Sequence, residues 1–355
     1  MIACEHLAIF HSVAPMSERL ENSTSVQGPS IPEIPGVTLR RYRGPEDLPP
    51  MASVITRSRE ADGVIYVTTV EDLSGQFEKP EDFDPRTDVL IVEADGQIIG
   101  VSRVSLQERK NALRAYNHSV ELLPGWRGKG IRERLFRYNE EYIRTRAKKD
   151  GIGSTNVYEL WAGDTENEWK SIVQTNGYHP VQHVLDMVRK LDDIPDMPLP
   201  EGFEIRPVTP EHYSMIQQAG KESSMQDWDF RHEDWTEERF HHFIASTGSR
   251  PDLWQVAWKG DTIAGMVLNY ILKEENEQFD RKRGHTEHVS VRQQFRGRGL
   301  ARALLAHSFR VLKENGMEEA ALGMEVENPH DPLRLYQGMG FKIELHLTWY
   351  QKPVD

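Results

Sequence analysis

The chain has 355 residues, of which 38% are hydrophobic and 28% charged, and its formal net charge is −13 at pH 7. The length suits two domains, and the composition is that of a folded globular protein. The negative charge argues against nucleic acid or an anionic membrane as the main partner, although a local basic patch could still bind an anionic ligand. The single cysteine, Cys4, excludes an intrachain disulfide and a thiolate metal cluster.

Residues 1–35 are rich in Ser, Asn, Gly and Pro and show little periodicity, which predicts a flexible leader. Within it, Glu5 and His6 stand where a secretory signal would carry basic residues. No apolar run in the sequence approaches the roughly 20 residues that span a bilayer. We therefore expect no membrane partner and a cytoplasmic location.

The rest of the chain repeats itself. Four landmarks recur in the same order at a nearly constant separation: Gly36–Arg41 with Gly202–Pro207, Gly96 with Gly260, Arg127–Arg132 with Arg296–Ala301, and Gly177 with Gly340. Such a duplication is typical of two tandem copies of one domain. We predict an N-terminal domain over 36–190, a proline-rich linker over 191–201 and a C-terminal domain over 202–355.

Each copy is predicted to contain the same series of elements. The predicted strands, in chain order, are 38–41, 89–92, 98–104 and 115–122 in the first copy and 204–206, 254–257, 262–272, 286–291, 320–326 and 341–349 in the second. A helix follows each arginine–glycine loop, another ends near Gly338, and the charged segment 274–284 is predicted to be a solvated loop. This order predicts an α+β fold with a mostly antiparallel, mixed central sheet flanked by helices.

In the second copy, a strand, the loop Arg296–Gly299 and a helix follow one another. A helix N-terminus presents unpaired N–H groups and a partial positive charge, so it binds anions. Gly297 and Gly299 let the backbone approach a phosphate, Ala301 leaves the first helical turn uncluttered, and Arg296 and Arg298 add charge. The spacing fits neither the P-loop nor the dinucleotide-binding fingerprint. Taken alone, the loop is equally compatible with a simple polar turn.

The segment Arg296–Ala301 also resembles the Q/R-x-x-G-x-G/A loop of the GNAT acetyltransferase superfamily. Downstream, Asn328 and the segment Leu335–Phe341 resemble the second motif of that family, an Asn followed by Leu-Tyr-x-x-x-Gly-Phe. The resemblance covers residues 36–350, once per half, and the plan is similar to that of tandem GNAT proteins such as mycothiol synthase. It implies an enzyme that transfers an acetyl group from acetyl-CoA to a primary amine.

The resemblance also implies roles for individual residues. The loop would bind the pyrophosphate of coenzyme A, and the strand before it would bind the pantetheine arm, with an N–H group such as that of Val289 polarising the thioester carbonyl. Asn328 would contact the same arm, and Tyr336 would protonate the departing thiolate. The implied coenzyme-binding residues are Val289, Val291, Arg296, Gly297, Arg298, Gly299, Leu300, Ala301 and Asn328.

The general base is left open by the sequence. Glu287 and His285 share one face of the strand, and either could take the proton of the ammonium group, directly or through water. Glu287 is the first choice and His285 the second. The alternative is that both are surface residues and water acts as the base, just as Tyr336 could be an aromatic packing residue.

The first copy looks degenerate. Arg132 stands where the loop pattern requires Gly or Ala, and it would either crowd the phosphates or fold outward and pair with them. Val173 stands where the second copy has Tyr336, and valine cannot donate a proton. We therefore predict a non-catalytic N-terminal domain, with coenzyme binding by it left open.

The acceptor pocket is expected around Met225–Trp235, whose aromatic and acidic side chains would suit a cationic amine, although ordinary helix packing explains the same residues. The histidines His232, His241 and His242 lack the spacing of metal ligands, so no metal is expected. The acceptor is predicted to be a small molecule. The open alternatives are a non-catalytic acyl-CoA sensor and a transferase for a longer acyl group, and the oligomeric state is also open.

Overall fold

The computed structural model describes residues 34–77, 83–109, 112–149, 155–224, 235–246, 250–328 and 331–355. Contacts divide these residues into two units. The N-lobe comprises the described residues up to Gln182 together with Leu347–Asp355, and the C-lobe comprises His183–His346. No helix within the described ranges is both long and apolar enough to span a bilayer.

The described residues of the N-lobe form five complete strands and five α-helices. These are β1 (Val37–Arg41), α1 (Leu48–Glu60), α2 (Val70–Phe77), α3 (Pro85–Asp88), β2 (Val89–Ala94), β3 (Gln97–Arg109), β4 (Leu113–Leu122), α4 (Ile131–Lys149), β5 (Thr155–Gly163) and α5 (Asn167–Thr175). The next strand, β6 (His179–Lys190), starts in the N-lobe and ends in the C-lobe.

The C-lobe repeats this series. Its described elements are β7 (Glu204–Ile205), α6 (Tyr213–Ser224), α7 (Glu237–Ser246), β8 (Gln255–Lys259), β9 (Thr262–Tyr270), α8 (Lys273–Gln278), β10 (Arg283–Val291), α9 (Leu300–Glu314), β11 (Glu319–Glu325) and α10 (Pro332–Gly338). The last strand, β12 (Lys342–Pro353), starts in the C-lobe and ends in the N-lobe.

Within each lobe the sheet is mostly antiparallel with one parallel pair, which confirms the predicted α+β class. The N-lobe order is β1-β2-β3-β4-β5-β12, and only β4 and β5 run parallel. The C-lobe order is β6-β11-β10-β9-β8-β7, and only β10 and β11 run parallel. Apolar clusters cover both faces of each sheet, so helices flank it on two sides.

The final strand of each half completes the sheet of the other half. Residues 347–353 of β12 pair antiparallel with β5, and residues 184–190 of β6 pair antiparallel with β11. Residues 347–355, predicted within the C-terminal domain, therefore lie in the N-lobe, and residues 183–190, predicted within the N-terminal domain, lie in the C-lobe. Both β5 and β11 would otherwise leave a row of unpaired backbone groups, which these strands satisfy.

The proline-rich segment 191–201 belongs to the C-lobe rather than forming a separate spacer. Leu191 is buried and its N–H donates to the carbonyl of Glu318 at 2.8 Å. The Arg310 guanidinium donates to the carbonyl of Pro195 at 3.3 Å. Three partly buried side chains of the segment pack on the C-lobe core: Ile194, Met197 and Leu199.

The segment 274–284, predicted to be a solvated loop, is instead folded. It forms α8 and the first residues of β10, and both Glu275 and Arg283 are buried. The prediction was wrong because opposite charges are paired here. The Arg283 guanidinium bonds Glu319 at 2.9 Å and Glu344 at 2.6 Å, which compensates its burial.

Candidate functional site

The arginine–glycine loop of the C-lobe leads from β10 into α9. Gly299 is the residue before the helix, and both Gly297 (φ 75°) and Gly299 (φ 83°) adopt left-handed backbone conformations that favour glycine. A Cβ atom at either position would meet no atom within 4 Å, so the loop faces open space. Among the described residues, none accepts a hydrogen bond from the N–H of Gly297, Arg298 or Gly299. The loop and the helix N-terminus therefore offer donors to an anion.

The two arginines of the loop have different environments. The Arg296 side chain points inward: its Nε donates to the carbonyl of Val291 at 2.9 Å, and a terminal nitrogen lies 3.3 Å from the carbonyl of Ser223. These bonds fix the loop between β10 and α6. The Arg298 side chain is exposed, so it is the arginine placed to add charge beside an anion.

The two parallel strands before and after α9 separate next to this loop. Their ladder pairs Arg283–His285 with Glu319–Ala321, whereas β10 continues to Val291 and β11 to Glu325. Beyond His285, the side-chain hydroxyl of Thr286 donates to the carbonyl of Ala321 at 3.1 Å. The separated strands expose a β10 edge on which an extended, amide-containing ligand can form backbone hydrogen bonds.

A β-bulge interrupts β10 at the same level. The register with β9 shifts between Glu287 and Ser290, so His288 and Val289 together oppose one residue. His288 has φ 50°, a conformation that costs a non-glycine residue about 1 kcal/mol or more. Its ring lies 4.7 Å from that of Trp235. A bulge re-aims backbone groups, so the N–H groups of this segment leave the regular β9 ladder.

Four of the predicted coenzyme-binding residues, and the predicted acid Tyr336, lie in or against one apolar cluster of the C-lobe. Val291, Leu300 and Tyr336 are members of one apolar cluster, and Val289 and Ala301 pack against it. Leu300 is buried, so only its backbone can meet a ligand.

The remaining predicted residues follow β11. Tyr336 lies in α10 with 8% of its surface exposed and its ring edge-on to Phe341 at 5.9 Å. Asn328 lies just after β11, and its carbonyl accepts from the N–H of Asp331 at 3.2 Å.

The two candidate bases lie on the sheet face that α6 and α7 cover. Their cross-strand partners, Leu268 for Glu287 and Tyr270 for His285, belong to the apolar cluster that includes residues of α6 and α7. The intervening pair points to the other face, because Asn269 donates to Ser308 of α9 at 3.0 Å. An acceptor that meets these bases therefore comes from the side opposite α9.

The predicted acceptor segment lies mostly outside the described residues, including His232. Its last residue, Trp235, is buried in the aromatic cluster and occupies the space beside Gly220, where a Cβ would not fit. His241 is exposed beside Glu237, and only the backbone of His242 is described. Within the described ranges, no group of three His, Cys, Asp or Glu side chains is placed to hold a metal ion.

The matching loop of the N-lobe has the same backbone form but different contacts. Gly128 and Gly130 have φ values of 69° and 75°, and the Nε of Arg127 donates to the carbonyl of Leu122 at 3.1 Å, as Arg296 does to Val291. The N–H of Gly128, however, donates to a carboxylate oxygen of Glu168 at 3.1 Å. A carboxylate of the chain itself thus occupies an anion-binding donor of this loop.

Arg132 also fills the space beside the N-lobe loop. It stands where the C-lobe has Ala301, is 2% exposed, and donates from Nε to the carbonyl of Val120 in β4 at 3.0 Å. Its guanidinium lies over the ring of Trp169 and 3.3 Å from Glu168. The sequence predicted that Arg132 would crowd the phosphates or fold outward to pair with them; in the structure its side chain is buried and bonds the chain's own strand and acid.

Two further features distinguish the N-lobe. The β3–β4 ladder runs without a register shift from Gly100 opposite Leu122 to Arg109 opposite Leu113, so β4 has no counterpart of the bulge. Val173, at the position of Tyr336, is fully buried in the apolar core. Sequence reasoning missed the bulge, because no local sequence pattern determines the register between two strands.

Comparison with known proteins agrees with this geometry. The model of the acetyltransferase (GNAT) family matches residues 56–160 and 221–341, more than half of the chain. A GCN5-related N-acetyltransferase from Sphaerobacter thermophilus has a similar structure (TM-score 0.68, 24% identity, covering 92% of this chain and 97% of that one). No curated protein matches the sequence.

A tandem GNAT protein from the clavulanic acid biosynthesis pathway is also similar, with a TM-score of 0.63 and 13% identity over 90% of this chain and 99% of that one. At these identities the structural likeness shows the fold alone. The two family-model matches cover one region in each half, in agreement with the repeat in the sequence. The chain therefore belongs to the GNAT acetyltransferase family and carries two tandem copies of its fold.

Proposed function

We propose that the C-lobe transfers an acetyl group from acetyl-CoA to the primary amine of a small molecule, and that the N-lobe does not catalyse. The observation that carries this proposal is the contrast between the two loops. The N–H groups of Gly297, Arg298 and Gly299 have no acceptor among the described residues, whereas the N–H of Gly128 donates to Glu168 and Arg132 bonds the carbonyl of Val120 in β4.

The C-lobe offers a binding surface for each part of acetyl-CoA. The N–H groups from Gly297 to Ala301 and the dipole of α9 would hold the pyrophosphate, with Arg298 adding charge. The edge of β10 before Val291 would hydrogen-bond the pantetheine arm, and Asn328 would contact the same arm. Arg296 would act indirectly, because its guanidinium is engaged in holding the loop.

The proposed chemistry needs three groups of the C-lobe. A base on the α6–α7 face would take a proton from the ammonium form of the acceptor, because only the neutral amine is a nucleophile. The N–H of Val289 would donate to the oxygen of the thioester carbonyl, on which negative charge develops during attack. Tyr336 would protonate the departing sulfur, for which its phenolic hydroxyl is a suitable donor.

The test is a thiol-release assay with acetyl-CoA and a panel of primary amines: glucosamine, an aminoglycoside, a polyamine, a lysine-containing peptide and a peptide with a free N-terminus. We expect release of CoA with at least one of them and an increase in product mass that corresponds to one acetyl group. Release that a longer acyl-CoA supports better than acetyl-CoA would revise the donor. Absence of release with every amine, despite tight binding of acetyl-CoA, would overturn catalysis and favour a sensor.

A further inference from the structure

A buried acid touches one of the two candidate bases. Glu275, from α8, is 7% exposed, and its Oε1 lies 3.2 Å from Nε2 of His285. The guanidinium of Arg281 bonds the same carboxylate. The segment that contributes Glu275 and Arg281 was predicted to be a solvated loop, so this contact is visible only in the folded structure.

The charge of Glu275 determines which nitrogen of His285 carries hydrogen. Burial opposes ionisation of Glu275, but the adjoining His285 and Arg281 outweigh it and lower the pKa of Glu275 to about 2. At neutral pH the group is therefore a carboxylate, which can only accept hydrogen bonds. Nε2 of His285 must then be the donor, and the lone pair of the neutral ring lies on Nδ1.

The ring of His285 is held in a fixed plane. It stacks on Tyr270 with 4.8 Å between ring centroids and 1° between planes. Its side chain keeps 12% exposure, and no described residue forms a hydrogen bond with Nδ1. Glu287, two residues nearer the bulge, is only 3% exposed. His285 therefore presents an accessible acceptor atom on the face from which the amine comes.

The charged and titratable groups around this ring come from three elements. Glu275 lies in α8, and Arg281 lies shortly after that helix. Tyr270 lies in β9. On β10 itself, Arg283 and Glu287 point to the same face as His285. Arg283 is neutralised by Glu319 and Glu344. The parallel strand β11 places only Ala321 opposite His285. Glu275 is therefore the charge that acts directly on the imidazole.

We propose that Glu275 and His285 form a dyad in which His285 is the general base and Glu275 is its positioning residue. This inference rests on the proposed acetyl transfer. One ammonium N–H bond breaks as a bond from hydrogen to Nδ1 forms, and the freed lone pair of the amine forms the C–N bond while the C–S bond breaks. Tyr336 gives a proton to the departing sulfur, the nitrogen releases its second proton to solvent, and the phenolate of Tyr336 takes a proton back from solvent. The imidazolium, stabilised by Glu275, returns its proton to solvent.

The first test does not need turnover. In the full chain labelled with ¹⁵N-histidine, two-bond ¹H–¹⁵N correlation at neutral pH shows which ring nitrogen carries hydrogen, and His285→Gln identifies the signal. We expect hydrogen on Nε2 and a bare Nδ1. Hydrogen on Nδ1 would overturn the dyad and leave the proposed acetyl transfer unaffected.

The second test uses kinetics with the best amine of the panel. His285→Ala should lower kcat about 100-fold or more, and free imidazole in the medium should restore it in proportion to its concentration. Glu275→Gln should lower kcat about tenfold with the KM for acetyl-CoA unchanged. Its neighbour Glu274, exposed on the same helix, provides the control: Glu274→Gln should behave like the wild type.

Turnover of His285→Ala above half that of the wild type would overturn the proposal, as would a large loss that imidazole leaves unchanged while the thermal melt and acetyl-CoA binding remain normal. Glu287→Gln separates the two candidates, because a loss at Glu287 alone assigns the base to that residue. If the wild type releases no CoA with any amine, the proposed function itself fails and the dyad has no reaction to serve.

Discussion

The two arginine–glycine loops have nearly the same sequence but different hydrogen-bond partners. In the C-lobe, no described residue accepts a hydrogen bond from the N–H groups of Gly297, Arg298 and Gly299 before α9. In the N-lobe, Glu168 accepts from the loop and Arg132 reaches across to β4. The same glycine spacing therefore has different hydrogen-bond partners in the two lobes. The residues that stand beside the glycines decide whether the site is open.

The N-lobe also shows how a loop of this form can be satisfied from within the chain. An unoccupied helix N-terminus leaves donors without partners, and the N-lobe satisfies one of them with a carboxylate of its own. The buried positive charge of Arg132 is compensated by Glu168, by the carbonyl of Val120 and by the ring of Trp169. Contacts within the chain thus hold the N-lobe loop.

The largest expected effect comes from matched changes at the two loops. Gly299→Val places a β-branched residue at φ 83° and displaces the N–H groups that would hold the pyrophosphate. Because each hydrogen bond to a charged group contributes about 1.5–3 kcal/mol, the Kd for acetyl-CoA should rise about 1000-fold. Gly130→Val, at φ 75°, should leave the Kd unchanged. Equal weakening by both, measured by calorimetry on folded protein, would mean that the N-lobe loop also binds.

The second prediction moves the Arg132–Glu168 pair of the N-lobe to the matching positions of the C-lobe. With Gly177 matched to Gly340, Asp331 stands in the C-lobe where Glu168 stands in the N-lobe. The double variant Ala301→Arg with Asp331→Glu should therefore close the open loop and weaken acetyl-CoA binding about 100-fold, by removing about one hydrogen bond to charge. Unaltered binding would show that these two side chains do not decide the state of the loop.

The third prediction concerns Tyr336, the proposed general acid, and its effect on kcat. Tyr336→Phe removes the hydroxyl and should lower kcat about 100-fold, because a positioned acid typically contributes that much. The Kd for acetyl-CoA should stay within a factor of about two, since the ring still packs on Phe341. Steady-state kinetics with calorimetry separates the two quantities. A rate equal to that of the wild type would remove Tyr336 from the mechanism.

The smallest effect concerns stability of the closed N-lobe. Burial and the neighbouring Glu121 raise the pKa of Glu166 to about 7. Because this lies above the value of an unfolded glutamic acid, the folded lobe binds the proton more tightly, and stability falls as the pH rises from about 5 to about 8. We expect the loss to be about 2–3 kcal/mol and to be absent in Glu166→Gln. Urea unfolding of both proteins at the two pH values measures it, and parallel curves would contradict the assignment.

The sequence predicted the parts of this account that depend on local chemistry. The turn and the helix start at Gly297 and Gly299 were predicted from local sequence and are confirmed, whereas the role of Tyr336 stays a prediction. The repeat located the degenerate positions Arg132 and Val173 by alignment of one half with the other.

The features that were missed depend on contacts between distant segments. The bulge at His288 follows from the register between β9 and β10, which no single segment specifies. Glu275 looked solvated because its partners, His285 and Arg281, become neighbours only when α8 packs against β10. The exchange of the last strands was missed for the same reason, since a strand pattern does not name its pairing partner.

The most direct test of the central claim is the number of acetyl-CoA molecules bound per chain, measured by calorimetric titration of the wild-type protein. We predict one site, because the loop before α9 is open and the loop before α4 is closed by Glu168 and Arg132. Two sites per chain would contradict the closure of the N-lobe. Absence of binding would contradict the open coenzyme site of the C-lobe and with it the proposed acetyl transfer.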